Sequence, residues 1–191
     1  YAGYLSAAGL GLAFLLFARA FAEPAALTFG KTFASDAYSS FFGLLVCATA
    51  ILSTLTGIGH LREHGLLRGE FFVLILLATI GMLVMAQAKD FLVLFVGLEL
   101  MSLAVYALCA YERQRQKAVE AAFKYFLIGS FSTAFLLFGI AFLFGATGDT
   151  SYEAVANLVR TQGSSFFVML GLTFVLIGFL FKVAAVPFHM W

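Results

Sequence analysis

The sequence predicts an all-α membrane protein, a polytopic bundle of transmembrane helices. Three observations carry that expectation: the composition, the unbroken length of the apolar runs, and the confinement of charge to the stretches between them. Of 191 residues, 63% are hydrophobic and 11% are charged, whereas an ordinary soluble domain carries about 25% charged residues. A soluble fold of this size leaves too much surface facing water to hide so many apolar side chains. The runs continue for about 20 residues, as membrane-crossing helices do, and do not alternate over about 10 as barrel strands do. A soluble enzyme, a nucleic-acid module, a disordered chain and a disulfide scaffold are thereby excluded. Lys and Arg together number 11 and Asp and Glu 10, a net charge of +1, so bulk charge points to no nucleic acid and no anionic surface.

Six apolar segments follow in order, roughly 1–22, 41–59, 71–88, 91–111, 121–145 and 166–191. Each is long enough to cross a hydrocarbon layer about 30 Å thick at about 1.5 Å per residue. The link Gln87-Ala88-Lys89-Asp90 is so short that the third and fourth segments must form an antiparallel hairpin, with Asp90 placed to cap the fourth helix. The stretch 145–163 is different. Thr150-Ser151-Tyr152-Glu153 reads as a capping box, and Val155, Leu158 and Val159 follow at helical spacing opposite Asn157 and Arg160. That pattern predicts a short helix lying along the membrane surface. Cys47 and Cys109 each sit inside an apolar run and read as buried small hydrophobes.

Basic residues in the loops set the expected orientation. Arg62, Arg68, Arg113, Arg115 and Lys117 crowd into two short loops, while Arg19, Lys31, Lys89 and Arg160 are spread over more chain on the other side. Loops 60–70 and 112–120 are therefore expected to be cytoplasmic.

Three charges fall within or against the apolar runs. A charged side chain at the centre of a membrane helix costs about 2.5–3.5 kcal/mol on insertion scales, so such residues usually mark an ion or proton route. Glu99 lies near the middle of the fourth segment. At 100° per residue, Ser102, Tyr106, Cys109 and Arg113 share its face and predict a polar stripe toward the cytoplasmic end. A bland reading of Glu99, one hydrogen bond to a neighbouring helix, would be served as well by glutamine. Lys124 sits about one turn inside the fifth segment. From spacing alone it fits a pathway residue and a lysine snorkelling to the headgroups equally well. Lys182 is more telling. The sixth segment is too long for one straight span, and Pro187, five residues later, removes a helix hydrogen bond and clashes with the preceding turn. The helix should break between about 179 and 187, with Lys182 at or beside the break. Gly171, Gly178 and Ala185 share its face and leave room for water or another helix. Glu99 is the natural partner of Lys182. The pattern His60-Leu61-Arg62-Glu63-His64 matches a metalloprotease spacing, yet it falls in a loop between spans and reads better as solvated interface.

The runs KDFLVLFVGLELMSL at 89–103, EAAFKYF at 120–126, FSTAF at 131–135 and FKVAAVPFHMW at 181–191 resemble, in order and spacing, the antiporter-like membrane subunits of respiratory complex I. The resemblance covers nearly the whole chain. It implies that Glu99 matches the family's membrane glutamate, Lys182 the lysine of its broken helix and Lys124 the lysine opening the next helix after the glutamate. His189 matches the histidine of the Pro-x-His-x-Trp segment. The family is similar in having fourteen spans with inverted repeats. On that count 1–191 is a single membrane domain, the N-terminal part of a longer subunit, starting at the second span and ending in the seventh. The resemblance further implies a proton-translocating, non-redox subunit of NADH-quinone oxidoreductase in the bacterial inner membrane. Its protons would be driven by quinone reduction elsewhere. NADH, FMN, iron–sulfur clusters and quinone belong to partner subunits, with no cofactor in this chain. The partners are other complex I membrane subunits, further antiporter-like ones among them, and the lipid bilayer. Two alternatives remain: a subunit of a multisubunit cation/proton antiporter, and a non-conducting membrane scaffold. A quinone-reducing enzyme fits least, since nothing in the sequence would bind a flavin, haem or iron–sulfur centre.

Overall fold

In lipid every backbone N–H and C=O must find its partner within the protein, so a chain of long apolar runs closes into helices. The computed structural model describes residues 1–163 and 165–186 and shows that outcome. The elements are α1 (Ala2–Ala20), β1 (Ala26–Thr28), β2 (Phe33–Ser35), α2 (Ala37–Glu63), α3 (Gly69–Gln87), α4 (Phe91–Cys109), α5 (Gln116–Thr147), α6 (Tyr152–Gln162) and α7 (Phe166–Lys182). Helices α1 to α5 are long and apolar enough to cross a membrane. The sixth segment, expected over 166–191, is helical for 17 residues and ends at Lys182, a length of about 26 Å.

Sequential helices pack as hairpins, α1 on α2 and α3 on α4, and α5 pairs most extensively with α7. Two of these seams depend on glycine. A Cβ on Gly81 would stand 2.5 Å from the Met101 nitrogen and 2.6 Å from the Gly97 oxygen. One on Gly139 would stand 2.6 Å from the Val175 nitrogen and 2.7 Å from the Gly171 oxygen. Only a missing side chain lets the backbones approach so closely, which is how membrane helices gain contact where lipid removes the hydrophobic drive. Small and hydroxylic residues accordingly fill the inside, with Ser39, Ser40, Thr54, Thr79, Ser102 and Ser132 buried, while Leu15, Leu52, Phe131, Phe138 and Leu176 face outward.

The chain departs from the expected all-helical reading between α1 and α2. Strands β1 and β2 form a small antiparallel ribbon, Ala26 opposite Ser35 and Thr28 opposite Phe33. Phe29, Gly30 and Lys31 turn the chain, all three with positive φ. Three-residue strands are too short to show a period of two, so the sequence carries no sign of them. The ribbon is stitched to the α3–α4 link: Phe33 bridges Ala88, and the Lys89 amide donates to the Thr32 carbonyl at 2.9 Å. The same link is stitched to the α5–α6 turn. Asp90 bridges Ser151, the Phe91 amide donates to the Thr150 carbonyl at 2.9 Å, and the Tyr152 amide donates to the Lys89 carbonyl at 3.1 Å.

Asp90 caps α4 as expected, accepting from the amides of Leu92 at 2.7 Å and Val93 at 3.2 Å. Its other carboxylate oxygen accepts from the Thr150 hydroxyl. Thr150 is thereby drawn away from the capping role expected of it, and Ser151 caps α6 by accepting from the Ala154 amide. Helix α6 is the expected short helix of the 145–163 stretch, and Val155 and Leu158 turn its apolar side onto the core around Leu98, Leu143 and Val168. Burial, and then the nearby Asp90 charge, push the Tyr152 hydroxyl up to about 12. Cys47 is buried, but Cys109, expected to be buried, is exposed as the last residue of α4.

Two outcomes follow from this packing. Gly139→Leu is expected to force α5 and α7 apart and cost about 1–3 kcal/mol, read as a lower thermal midpoint in mild detergent. Gly145→Leu on the same helix, where an added Cβ meets nothing within 4 Å, is expected to be neutral. Asp36 caps α2 by accepting from the Ser39 amide at 2.8 Å. That bond, helped by the Ser39 hydroxyl and the Lys89 ammonium, holds its carboxyl below the usual value of 3.8. A depressed carboxyl stabilises the fold above its unfolded value and loses that contribution as pH falls through the folded value. Asp36→Ala should therefore lower stability by about 1 kcal/mol at neutral pH. Thermal midpoints of the two proteins should converge once the pH passes below 3.8 and through the folded value.

Candidate functional site

The site lies where α4, α5 and α7 meet. Asp90 fixes the start of α4, which places Glu99 as the ninth of its 19 residues, half-buried inside the bundle. Ser102, one turn further on, is fully buried. Helix α7 starts at Ser165, whose side chain accepts from the Val168 amide at 3.4 Å. It closes with the Ala184 amide donating to the Phe181 carbonyl at 3.0 Å and the Ala185 amide to the Leu180 carbonyl at 2.9 Å. This pair of crossed bonds is a Schellman turn, which wants a left-handed residue, usually glycine. Here it is Ala184, at φ 52°, a conformation that costs a non-glycine residue roughly 1–2 kcal/mol. The end of the helix falls at Lys182, as expected. The turn itself lies before Pro187, which is outside the described residues.

Lys182 is half-buried on the last turn of α7, where an ammonium complements the negative end of the helix dipole. Its Nζ donates to Ser102 Oγ at 2.7 Å and stands 6.0 Å from the ring centre of Tyr106 and 5.8 Å from that of Phe181. Glu99 Oε1 accepts from Thr133 Oγ1 of α5 at 2.7 Å. The neighbouring Ser132 Oγ donates to the Gly178 carbonyl of α7 at 3.2 Å. Adjacent helical residues point 100° apart, so Ser132 and Thr133 reach two different helices from one position on α5. Tyr106 is buried against Gly129.

The structure thus brings Glu99 and Lys182 to one place on separate hydroxyls. Among the described residues no ion pair joins them, although they are close enough for their charges to act on each other. Of the stripe expected from Glu99 to Arg113, Ser102, Tyr106 and Cys109 lie on α4. Helix α4 ends at Cys109, so Arg113 falls in the exposed turn beyond it and off the helical spiral. Gly171 and Gly178 make room for another helix: Gly171 meets Leu143 and the Gly139 carbonyl, and Gly178 meets Leu136.

Lys124 stands apart. It lies on the first turns of α5, with its side chain 63% exposed, and pairs with Glu120 one turn earlier. At 32 residues, about 48 Å, α5 is longer than the hydrocarbon layer, so its first turns reach the interface. His189 lies outside the described residues. The pattern at 60–64, expected in a loop, is instead the last turn of α2 with His64 as its C-cap; the His60 and His64 rings lie 4.3 Å apart, with His64 Nδ1 2.8 Å from the His60 carbonyl oxygen. Among the described residues no three His, Cys, Asp or Glu side chains gather as a metal site. Reasoning from sequence gave Ser132 and Thr133 no role. The signal was there: Ser130, Ser132 and Thr133 cluster three hydroxyls inside an apolar helix.

Comparison with known proteins gives concordant findings. The family model described as NADH:quinone oxidoreductase/Mrp antiporter, transmembrane, matches residues 88–191, a span that takes in α4, α5 and α7. Subunit N of the NADH-quinone oxidoreductase of Myxococcus xanthus is 47% identical over 158 residues, covering 82% of this chain and 30% of that protein. A chain of the respiratory complex I of Thermus thermophilus with bound aureothin superposes with a TM-score of 0.80 at 33% identity, covering 100% of this chain and 40% of that one. A chain of the Mrp complex from Dietzia sp. DQ12-45-1b gives a TM-score of 0.81 at 20% identity, covering 98% of this chain and 37% of that one; at that identity the likeness is one of fold. The chain spans about a third of the length of the curated relatives it matches.

Proposed function

Since the chain belongs to the family of transmembrane subunits shared by NADH:quinone oxidoreductases and Mrp antiporters, we propose that it is a proton-translocating part of a bacterial NADH-quinone oxidoreductase. It carries no redox step of its own in this reading. NADH, FMN, iron–sulfur clusters and quinone sit in other subunits, and its partners are the neighbouring membrane subunits, antiporter-like ones included. Residues 1–191 form a single membrane domain, the N-terminal part of a longer subunit. The setting is the bacterial inner membrane, with the helix ends and turns of residues 60–70 and 112–120 and their five basic residues on the cytoplasmic side.

The observation that carries the reading is Lys182 at the end of α7, hydrogen-bonded to Ser102 one turn from Glu99. An ammonium and a carboxyl group inside an apolar bundle are costly, and residues retained at that cost mark ion or proton routes. A proton reaching Glu99 turns the carboxylate into a neutral acid and removes its pull on the ammonium. Lys182 is then free to release a proton onward. When Glu99 then passes its proton to the neutral lysine, carboxylate and ammonium are both restored and the attraction returns. Charge changes set up by quinone reduction in other subunits would drive the exchange. His189 would continue the path beyond Lys182, and Lys124 would present positive charge where protons enter. The name of the Myxococcus relative and its 47% identity support the oxidoreductase reading, whereas the Mrp chain offers likeness of fold alone.

The test is the proton yield per electron of the assembled oxidoreductase in proteoliposomes. Glu99→Gln, which keeps size and hydrogen bonding, and Lys182→Ala are each expected to leave the complex assembled and to lower that yield. A normal ratio in both would overturn the reading. Lys124→Arg is expected to pump better than Lys124→Ala, since a fixed positive charge suffices near the interface. Equal, near-wild-type pumping by both would assign Lys124 to snorkelling.

A further inference from the structure

Two opposite charges inside an apolar bundle attract strongly, because the low local dielectric screens them little. Glu99 and Lys182 nevertheless stand apart, each on a hydroxyl of its own. We propose that Ser102 and Thr133 are positioning residues for proton transfer, Ser102 holding the Lys182 ammonium and Thr133 the Glu99 carboxylate, so that the two hydroxyls define the open position of a switch between separated and paired charges. The inference rests on the reading of the chain as a proton-translocating subunit.

The polarity of each hydroxyl fits its partner. Ser102 donates its one hydrogen to the Leu98 carbonyl of its own helix at 2.7 Å. Its oxygen is left as an acceptor only, suited to an ammonium and unable to donate to a carboxylate. Thr133 does the reverse. Helical threonines elsewhere in the chain, such as Thr54, Thr79 and Thr173, return their hydrogen to a carbonyl one turn back. Thr133 sends its hydrogen across to another helix, at 2.7 Å from Glu99. Charge-assisted bonds of this kind are among the stronger ones a hydroxyl makes.

The closed position leaves no hydroxyl stranded. Ser102 lies three residues after Glu99 on α4 and so shares its face. A swing of the flexible lysine stem carries Nζ from one to the other. Ser102 keeps its bond to Leu98. Thr133 can turn its hydrogen to the carbonyl of Gly129, four residues back, as the other threonines do. Ser132 meanwhile holds α7 on α5 through the Gly178 carbonyl, so the lysine moves against a fixed frame. Two discrete, satisfied arrangements are what a switching element requires.

The experiment uses the assembled oxidoreductase in proteoliposomes, with T133V, T133S and S102A compared against Glu99→Gln and Lys182→Ala. T133V has nearly the shape of threonine without its hydroxyl, and T133S restores the hydroxyl. Losing one charge-assisted hydrogen bond should slow NADH-driven proton translocation roughly tenfold in T133V and S102A, with T133S near wild type. In infrared difference spectra, the carboxyl band that disappears in Glu99→Gln should shift in T133V and return in T133S. Wild-type rates in T133V and S102A, with Glu99→Gln and Lys182→Ala impaired, would overturn the positioning role and leave the proton-path reading standing. Equal slowing of T133V and T133S, with no shift of the band, would also overturn it by assigning the effect to packing. Wild-type pumping by Glu99→Gln and Lys182→Ala would remove the reading on which the inference rests.

Discussion

Everything at the site depends on how closely α5 and α7 approach. Gly139 lies against Gly171 with no side chain between the backbones, and Gly178 rests on Leu136. Lipid tails are as apolar as leucine, so helices in a membrane gain little by merely hiding apolar surface, and contact distance decides which of them associate. This seam puts the Gly178 carbonyl within reach of Ser132 and brings the last turn of α7 beside α4. A wider spacing would leave Lys182 without Ser102 and Glu99 without a neighbouring charge.

The same constraint explains the chemistry of the interior. Hydrocarbon surrounds the bundle, so its outside is as apolar as its core: leucines and phenylalanines face out, and serines and threonines are buried among apolar side chains such as Leu136, Leu143 and Val168. Hydroxyls tie helices together at low cost in this setting because each can fall back on a carbonyl of its own helix. Ser102 does both at once, donating to Leu98 and accepting from Lys182. A neutral crosslink of this kind holds a charged side chain without cancelling its charge, which a direct ion pair would do.

Much of this was legible in the sequence, for reasons that differ by residue. The first five spans followed from apolar length, and the cap at Asp90 from a carboxylate placed between two such runs. Glu99 and Lys182 stood out because charge in hydrocarbon is rare. What the sequence hid were features that depend on a partner distant in the chain. Thr150 was read as a cap from its local spacing, but Asp90, sixty positions earlier, claims its hydroxyl. Thr133 looked like any helical threonine until α4 was seen beside it. Helix α7 does end at Lys182, yet the turn that ends it uses a left-handed alanine, and no propensity rule would have placed that residue there. The ribbon at 26–35 escaped notice because strands of three residues have no period.

The two rims of the bundle are built differently. At one, the α3–α4 link is joined on one side to the ribbon and on the other to the turn before α6, largely by backbone bonds. At the other, among the described residues, the Tyr111 hydroxyl donates to the Leu66 carbonyl across the two loops at 3.2 Å. Rods fastened at one end move as levers about that end, and the travel of any point grows with its distance from the fulcrum. Gly139 and Gly171 lie near the fastened rim; Ser102 and Lys182 lie further along. With α7 clipped to α5 at Gly178, a small tilt of α4 against that pair would leave the glycine seam undisturbed while changing the gap between the ammonium and its Ser102 acceptor.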